Sequence, residues 1–233
     1  MKKSILFPLA LIILVMIAQS CSKSNNGPTN VGKVMFFNGC VGTTGLYASV
    51  NNVDVNNTSI SYNTMLTGGY QQITAGNTVN IAFVNSSINS NLAPGVTVGI
   101  IPSQNYTAFA GGEVGGTSTV PYVLITVDSI PTPAYNTSFI RCVNLSPYSD
   151  STIISPSAGT TTIACNLAAQ SYSSFVSIAS GSYNFESNSV RSNSAAILSG
   201  QTLVAGKAYT LIYTGSRFAS GAYLPAFTLI QND

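Results

Sequence analysis

The chain has no histidine and no tryptophan, and only 6% of its 233 residues are charged. The missing histidine removes Ser-His-Asp and Cys-His catalysis, together with the commonest zinc ligand. The missing tryptophan removes the best surface for stacking a sugar ring. Eight Lys and Arg against six Asp and Glu leave no strongly basic face, which argues against a nucleic-acid footprint. Long amphipathic runs are lacking too, and a helix is conceivable only around 164–170. No catalytic residue, metal site or cofactor is expected, and the chain reads as a non-enzyme.

What charge there is begins at the N-terminus. Met1-Lys2-Lys3 is a short cationic segment, followed by an almost unbroken apolar run from Ser4 to Ile17. Ala18-Gln19-Ser20-Cys21 then places small residues before a cysteine, the layout of a signal peptide over 1–20. The run is shorter than the ~20 residues that span a bilayer. The cysteine at the cleavage point resembles the lipobox of bacterial lipoproteins, which implies lipid attachment at Cys21. Several acyl chains on one residue anchor a protein stably, so the expected partner of Cys21 is a membrane. Residues 21–30 read as a flexible tether, because SKSNNGPTN offers nothing to bury. Ser22 is not the aspartate that retains lipoproteins in some inner membranes, which by that resemblance places the chain in the cell envelope at the outer membrane.

The rest has strand composition, rich in Tyr, Val, Ile, Thr and Gly. It also repeats. Val34-Met35-Phe36-Phe37-Asn38 matches Ile140-Arg141-Cys142-Val143-Asn144, and Tyr70-Gln71-Gln72-Ile73 matches Phe175-Val176-Ser177-Ile178. Tyr106-Thr107-Ala108-Phe109 matches Tyr209-Thr210-Leu211-Ile212, and Val120-Pro121-Tyr122 matches Leu224-Pro225-Ala226. Four matches in one order, each about 105 residues apart, mark two copies of one unit. The expected organisation is an all-β fold with two tandem immunoglobulin-like β-sandwich domains, at 31–130 and 136–233, joined by a Pro-rich junction over 131–135.

The opening strand that ends in asparagine, the mid-domain glycine turn (YQQITAGNTVNI, FVSIASGSYNF) and the late Tyr-Thr strand (SQNYTAF, AGKAYTLIYTG) carry a family resemblance. They resemble domain-of-unknown-function family 4397, usually found in tandem in bacterial surface and secreted lipoproteins. The resemblance covers nearly the whole chain after the tether and is closer in the second copy. It implies a fold and a setting, and no catalytic residue.

Few side chains remain as chemical candidates. Asp54, Glu113, Asp128, Asp150, Glu186 and Asp233 are scattered, and each reads as a solvated turn or surface group rather than half of a glycosidase pair. The oxygen-rich segment 51–57 lacks the carboxylate density of a calcium loop and reads as a hairpin turn between Val50 and Val55. Of Cys40, Cys142 and Cys165, the last two share a copy and are the candidates for a disulfide. The alternative is three small core residues, and Cys142 falls where Phe36 stands in the other copy. Asp128-Ser129-Ile130 and Asp150-Ser151-Thr152 resemble short O-glycosylation motifs. The expected function is a structural or protein-interaction and adhesion module of the envelope. The alternative is a glycan-binding accessory protein in polysaccharide capture, using exposed tyrosines.

Overall fold

Alternating and doubly apolar segments fold into strands throughout. The computed structural model describes residues 30–116, 120–132, 134–148, 152–156, 167–189 and 196–232. Residues 1–29, with the expected signal peptide, Cys21 and nearly all of the expected tether, lie outside these residues, as do Asp150, Ser151, Cys165 and Asp233. The first half contributes β1 (Val31–Asn38), β2 (Leu46–Val50), β3 (Val53–Asp54), β4 (Thr64–Met65), β5 (Gln71–Thr74), β6 (Gly76–Asn85), β7 (Ser90–Asn91), β8 (Val96–Ile100), β9 (Asn105–Gly111) and β10 (Tyr122–Val127). The second contributes β11 (Thr137–Asn144), β12 (Thr152–Pro156), β13 (Ser171–Tyr172), β14 (Val176–Ala179), β15 (Gly181–Ser189), β16 (Ile197–Leu203), β17 (Ala208–Thr214) and β18 (Ala226–Gln231). The one helical turn among the described residues is a 3₁₀ segment at Gly221–Tyr223. The all-β expectation holds.

The halves share one pairing scheme. In the first, β10-β9-β1 continues into β4 and β5, while β3-β2-β6 continues into β7 and β8. In the second, β18-β17-β11 continues into β13 and β14, opposite a sheet of β12-β15-β16. Register repeats as well. Val34 lies opposite Tyr106 in a parallel ladder, as Ile140 lies opposite Tyr209. Val31 faces Thr74 as Thr137 faces Ala179, and Tyr106 faces Val127 as Tyr209 faces Gln231.

Small polar devices recur at the strand ends. Asn38 Oδ1 accepts from the Cys40 N–H and Asn144 Oδ1 from the Ser146 N–H, each side chain also reaching a carbonyl of its own half (Ile60, Leu167). This is why both opening strands stop at asparagine, whose short amide satisfies the turn that follows. The Tyr106 hydroxyl accepts from the Ile101 N–H and donates to the Gly99 carbonyl, while that of Tyr209 accepts from the Val204 N–H. Each is a tyrosine tied back to the backbone just upstream, a device known from β-sandwiches. The hairpin expected in 51–57 is present: Val50 pairs with Val53 across Asn51 and Asn52, whose φ values of 51° and 64° suit a primed two-residue turn.

Packing produces four layers. Val34, Phe36, Tyr106 and Ala108 from β1 and β9 bury against Leu46, Ile81 and Phe83 of the facing sheet. Ile140, Cys142, Tyr209 and Leu211 bury against Tyr183 and Phe185 in the second half. The alternate residues of the same strands point the other way and form a third core between the halves: Met35, Phe37 and Phe109 against Val143, Leu145, Ile212 and Ile230. Strands buried on both faces carry near-continuous apolar runs rather than alternation, as VMFF and YTLIY do. The halves approach closely at Gly39, where an added Cβ would strike the Leu145 side chain at 2.5 Å and that of Thr214 at 3.1 Å.

Candidate functional site

A buried polar cluster lies beside the third core. Asp128, just beyond β10, and Arg141, in the middle of β11, form an ion pair 2.5 Å apart, with side chains 0% and 2% exposed. This overturns the reading of Asp128 as a solvated surface carboxylate. The strand it follows lies against the second half, so its side chain enters the interface instead of water. Asp128 Oδ2 accepts from the Thr107 hydroxyl at 2.6 Å and from the Tyr70 hydroxyl at 2.5 Å, and Oδ1 accepts from Thr126 at 3.3 Å. Arg141 donates from Nε to Thr210 (2.8 Å), from Nη2 to Thr107 (3.3 Å) and from Nη1 to the Val127 carbonyl (3.3 Å). Phe175 lies under its guanidinium, 4.7 Å from ring centroid to Cζ. The Thr210 hydroxyl donates a hydrogen bond to Asn232 Oδ1 at 2.6 Å, and Asn232 Nδ2 donates to the Tyr70 oxygen at 3.3 Å. Burial, reinforced by the Asp128 carboxylate, pushes the Tyr70 hydroxyl well above its ordinary value of 10.0, which keeps it a donor.

This cluster has charges, hydroxyls and an aromatic, yet its polar groups are turned on one another. A buried ion pair is tolerated only when its remaining hydrogen-bonding capacity is satisfied, and here both partners are met from both halves. Sequence reasoning missed it, although one signal was available. An arginine inside an otherwise apolar strand run, where the other copy has Met35, needs a buried carboxylate.

The other candidate residues stand apart. Asp54 is exposed on the short β3, while Glu113 and Glu186 are half-buried on separate segments. Among the described residues no group of three or more His, Cys, Asp or Glu could hold a metal. Cys40 and Cys142 are both fully buried, Cys142 in the slot that Phe36 fills in the first half. Burial, with a smaller push from Glu113, raises the Cys40 thiol from 9.0 to about 12, the opposite of an activated nucleophile. Cys165, the candidate disulfide partner of Cys142, lies outside the described residues.

Among the hollows on the first half, two shallow ones adjoin each other. One, of about 640 Å³, is lined by neutral donors and acceptors including Asn57, Thr58, Ser61, Thr67 and Gln71. Its neighbour shares Val55, Asn56 and Asn57 and adds Tyr47 and Asp54. Asn56 shapes the shared wall: it accepts from the Ala48 N–H at 2.8 Å and donates to the Thr58 carbonyl at 2.6 Å. The tyrosines are mostly structural, with Tyr106, Tyr183, Tyr209 and Tyr213 buried, whereas Tyr172 and Tyr135 are exposed. Comparison of the sequence with known protein families and with curated proteins finds no match.

Proposed function

We propose that the chain is a non-catalytic lipoprotein of the cell envelope, anchored through lipid on Cys21 at the outer membrane. There it serves as a structural or protein-interaction and adhesion module, of the kind that the resemblance to family 4397 implies. The observation that carries this reading is the use made of Asp128 and Arg141. The buried ion pair of the described residues joins the two halves and is enclosed by their own side chains. A stiff, nearly uncharged body at the end of a short tether suits presentation or scaffolding better than turnover.

The test is fractionation. Cys21→Ala should move the protein from membranes to the soluble periplasmic fraction or the medium, with its folded signature intact. Membrane retention of Cys21→Ala would overturn the anchor. Cross-linking of the anchored form in cells should then capture a discrete envelope partner.

One observation favours glycan binding as the second reading. The hollows beside Tyr47 present neutral amides and hydroxyls and one carboxylate, the groups that sugar hydroxyls pair with. A glycan array gives the answer. Binding abolished by Tyr47→Ala and Asn57→Ala would support this reading, and an empty array would dismiss it.

A further inference from the structure

Leu145 stands where Gly39 does in the other half, and these two positions touch. Thr107 corresponds to Thr210, Asp128 to Asn232, Tyr70 to Phe175 and Met35 to Arg141. Other contacts across the third core join positions that are neighbours on that shared face. Thr107 and Asp128 of the first half meet Arg141 of the second, and Tyr70 of the first meets Asn232 of the second. The halves therefore meet about a pseudo-two-fold axis, each using the same outer face. Such a face has one backbone outline in both halves, so in outline a first half can face another first half, although Leu145 against Gly39 already favours the mixed pairing.

We infer that the Asp128–Arg141 pair is the partner code of this face: it admits a half of the other type and refuses a copy of itself. Two first halves would set each Asp128 against a Met35, burying two carboxylates without a counter-charge. Two second halves would set each Arg141 against an Asn232, burying two unmatched guanidinium groups. Breaking a buried pair costs far more than forming it gains, so the penalty falls on the wrong pairings. The surface recognises one occupant, the outer face of the opposite half, whether in the same chain or in a second copy.

The experiment uses the full-length chain purified in detergent, in two differently tagged pools. Asp128→Arg and Arg141→Asp each place like charges face to face, and each variant alone should open, seen as an increased radius of gyration. Mixed, these two chains can satisfy each other reciprocally. A one-to-one heterodimer should form, with cross-tag recovery on the order of a hundredfold above either pool alone. The double variant D128R/R141D in one chain should close again as a monomer. Failure of the folded single variants to associate, or a double variant as open as either single, would overturn the code. A second pair of substitutions tests it without reversing any charge. Met35→Arg and Asn232→Asp occupy the symmetric positions, so each alone should lower the denaturation midpoint and the two together should restore it. Losses that merely add would refute the pseudo-symmetric facing.

Discussion

The first and second halves agree where the backbone needs help and differ at several positions where the two meet. Asn38 and Asn144 satisfy the same turn, and Tyr106 and Tyr209 tie back to the same upstream loop. Gly112 and Gly215 both adopt left-handed φ, 87° and 89°, against the backbone that leads into β10 or β18. On the facing surface, by contrast, methionine stands opposite the role of arginine, aspartate that of asparagine, and tyrosine that of phenylalanine. Backbone-satisfying groups are constrained by geometry that both halves share. Interface groups are constrained only by their partner, and the partner of each half is the other.

The largest expected break in this comparison is Arg141→Met, which copies the first-half residue into the second. Leaving Asp128 buried and unpaired should cost about 3–5 kcal/mol in chemical denaturation. Asn232→Ala, at the uncharged counterpart of Asp128, should cost less, about 1–3 kcal/mol, because it strands only neutral groups. Core slots should diverge in the same way. Phe36→Ala removes a fully buried ring and should cost ~3–5 kcal/mol. Cys142→Ala at the matching slot should cost roughly 1 kcal/mol.

Alkaline titration should separate the halves next. Burial raises Cys40, Tyr62, Tyr70 and Tyr122 in the first half, and Tyr213 in the second. These groups are neutral when folded, and the unfolded chain ionises first, from 9.0 for the thiol and 10.0 for the phenols. The stability they provide is therefore whole below pH 9 and is lost as pH rises toward about 12, where folded Cys40 and Tyr62 titrate. Denaturation midpoints should hold steady up to pH 9 and then fall, and Cys40→Ala should flatten the start of that fall. The smallest effect is at the tyrosine corners. Tyr209→Phe, which loses the bond from Val204, should cost about 1 kcal/mol. Tyr106→Phe, which loses bonds to both Ile101 and Gly99, should cost more, and equal losses would mean that the Gly99 bond bears no load.

Much of the fold was legible because its causes are local. The Asn51-Asn52 hairpin, the asparagine stops and the alternating Val79-Ile81 and Tyr183-Phe185 pairs follow from turn chemistry and period-two burial. Even the third core left a trace, since VMFF and FIRCV have no solvent face to alternate with. The face that those runs would meet was not legible, because pairing between sheets depends on which strands lie at a sheet's centre. Asp128 was misread for that reason. A lone aspartate before a proline-containing junction looks like a solvated turn until the strand before it is known to be covered. The hollows near Tyr47 were equally out of reach, being made of loop backbone whose course no side-chain pattern dictates.

The parallel ladder between β1 and β9 bears on how the molecule takes mechanical load. A pull applied at Asn30 runs along β1, which lies in the interior of its sheet between β9 and β5. Its six register pairs with β9, from Lys33–Asn105 to Asn38–Ala110, would be sheared together instead of being peeled one at a time. Drawn from that end, the first half should yield at a high rupture force and with little extension beforehand. Drawn from its other end through β10, an edge strand, it should unzip at a lower one.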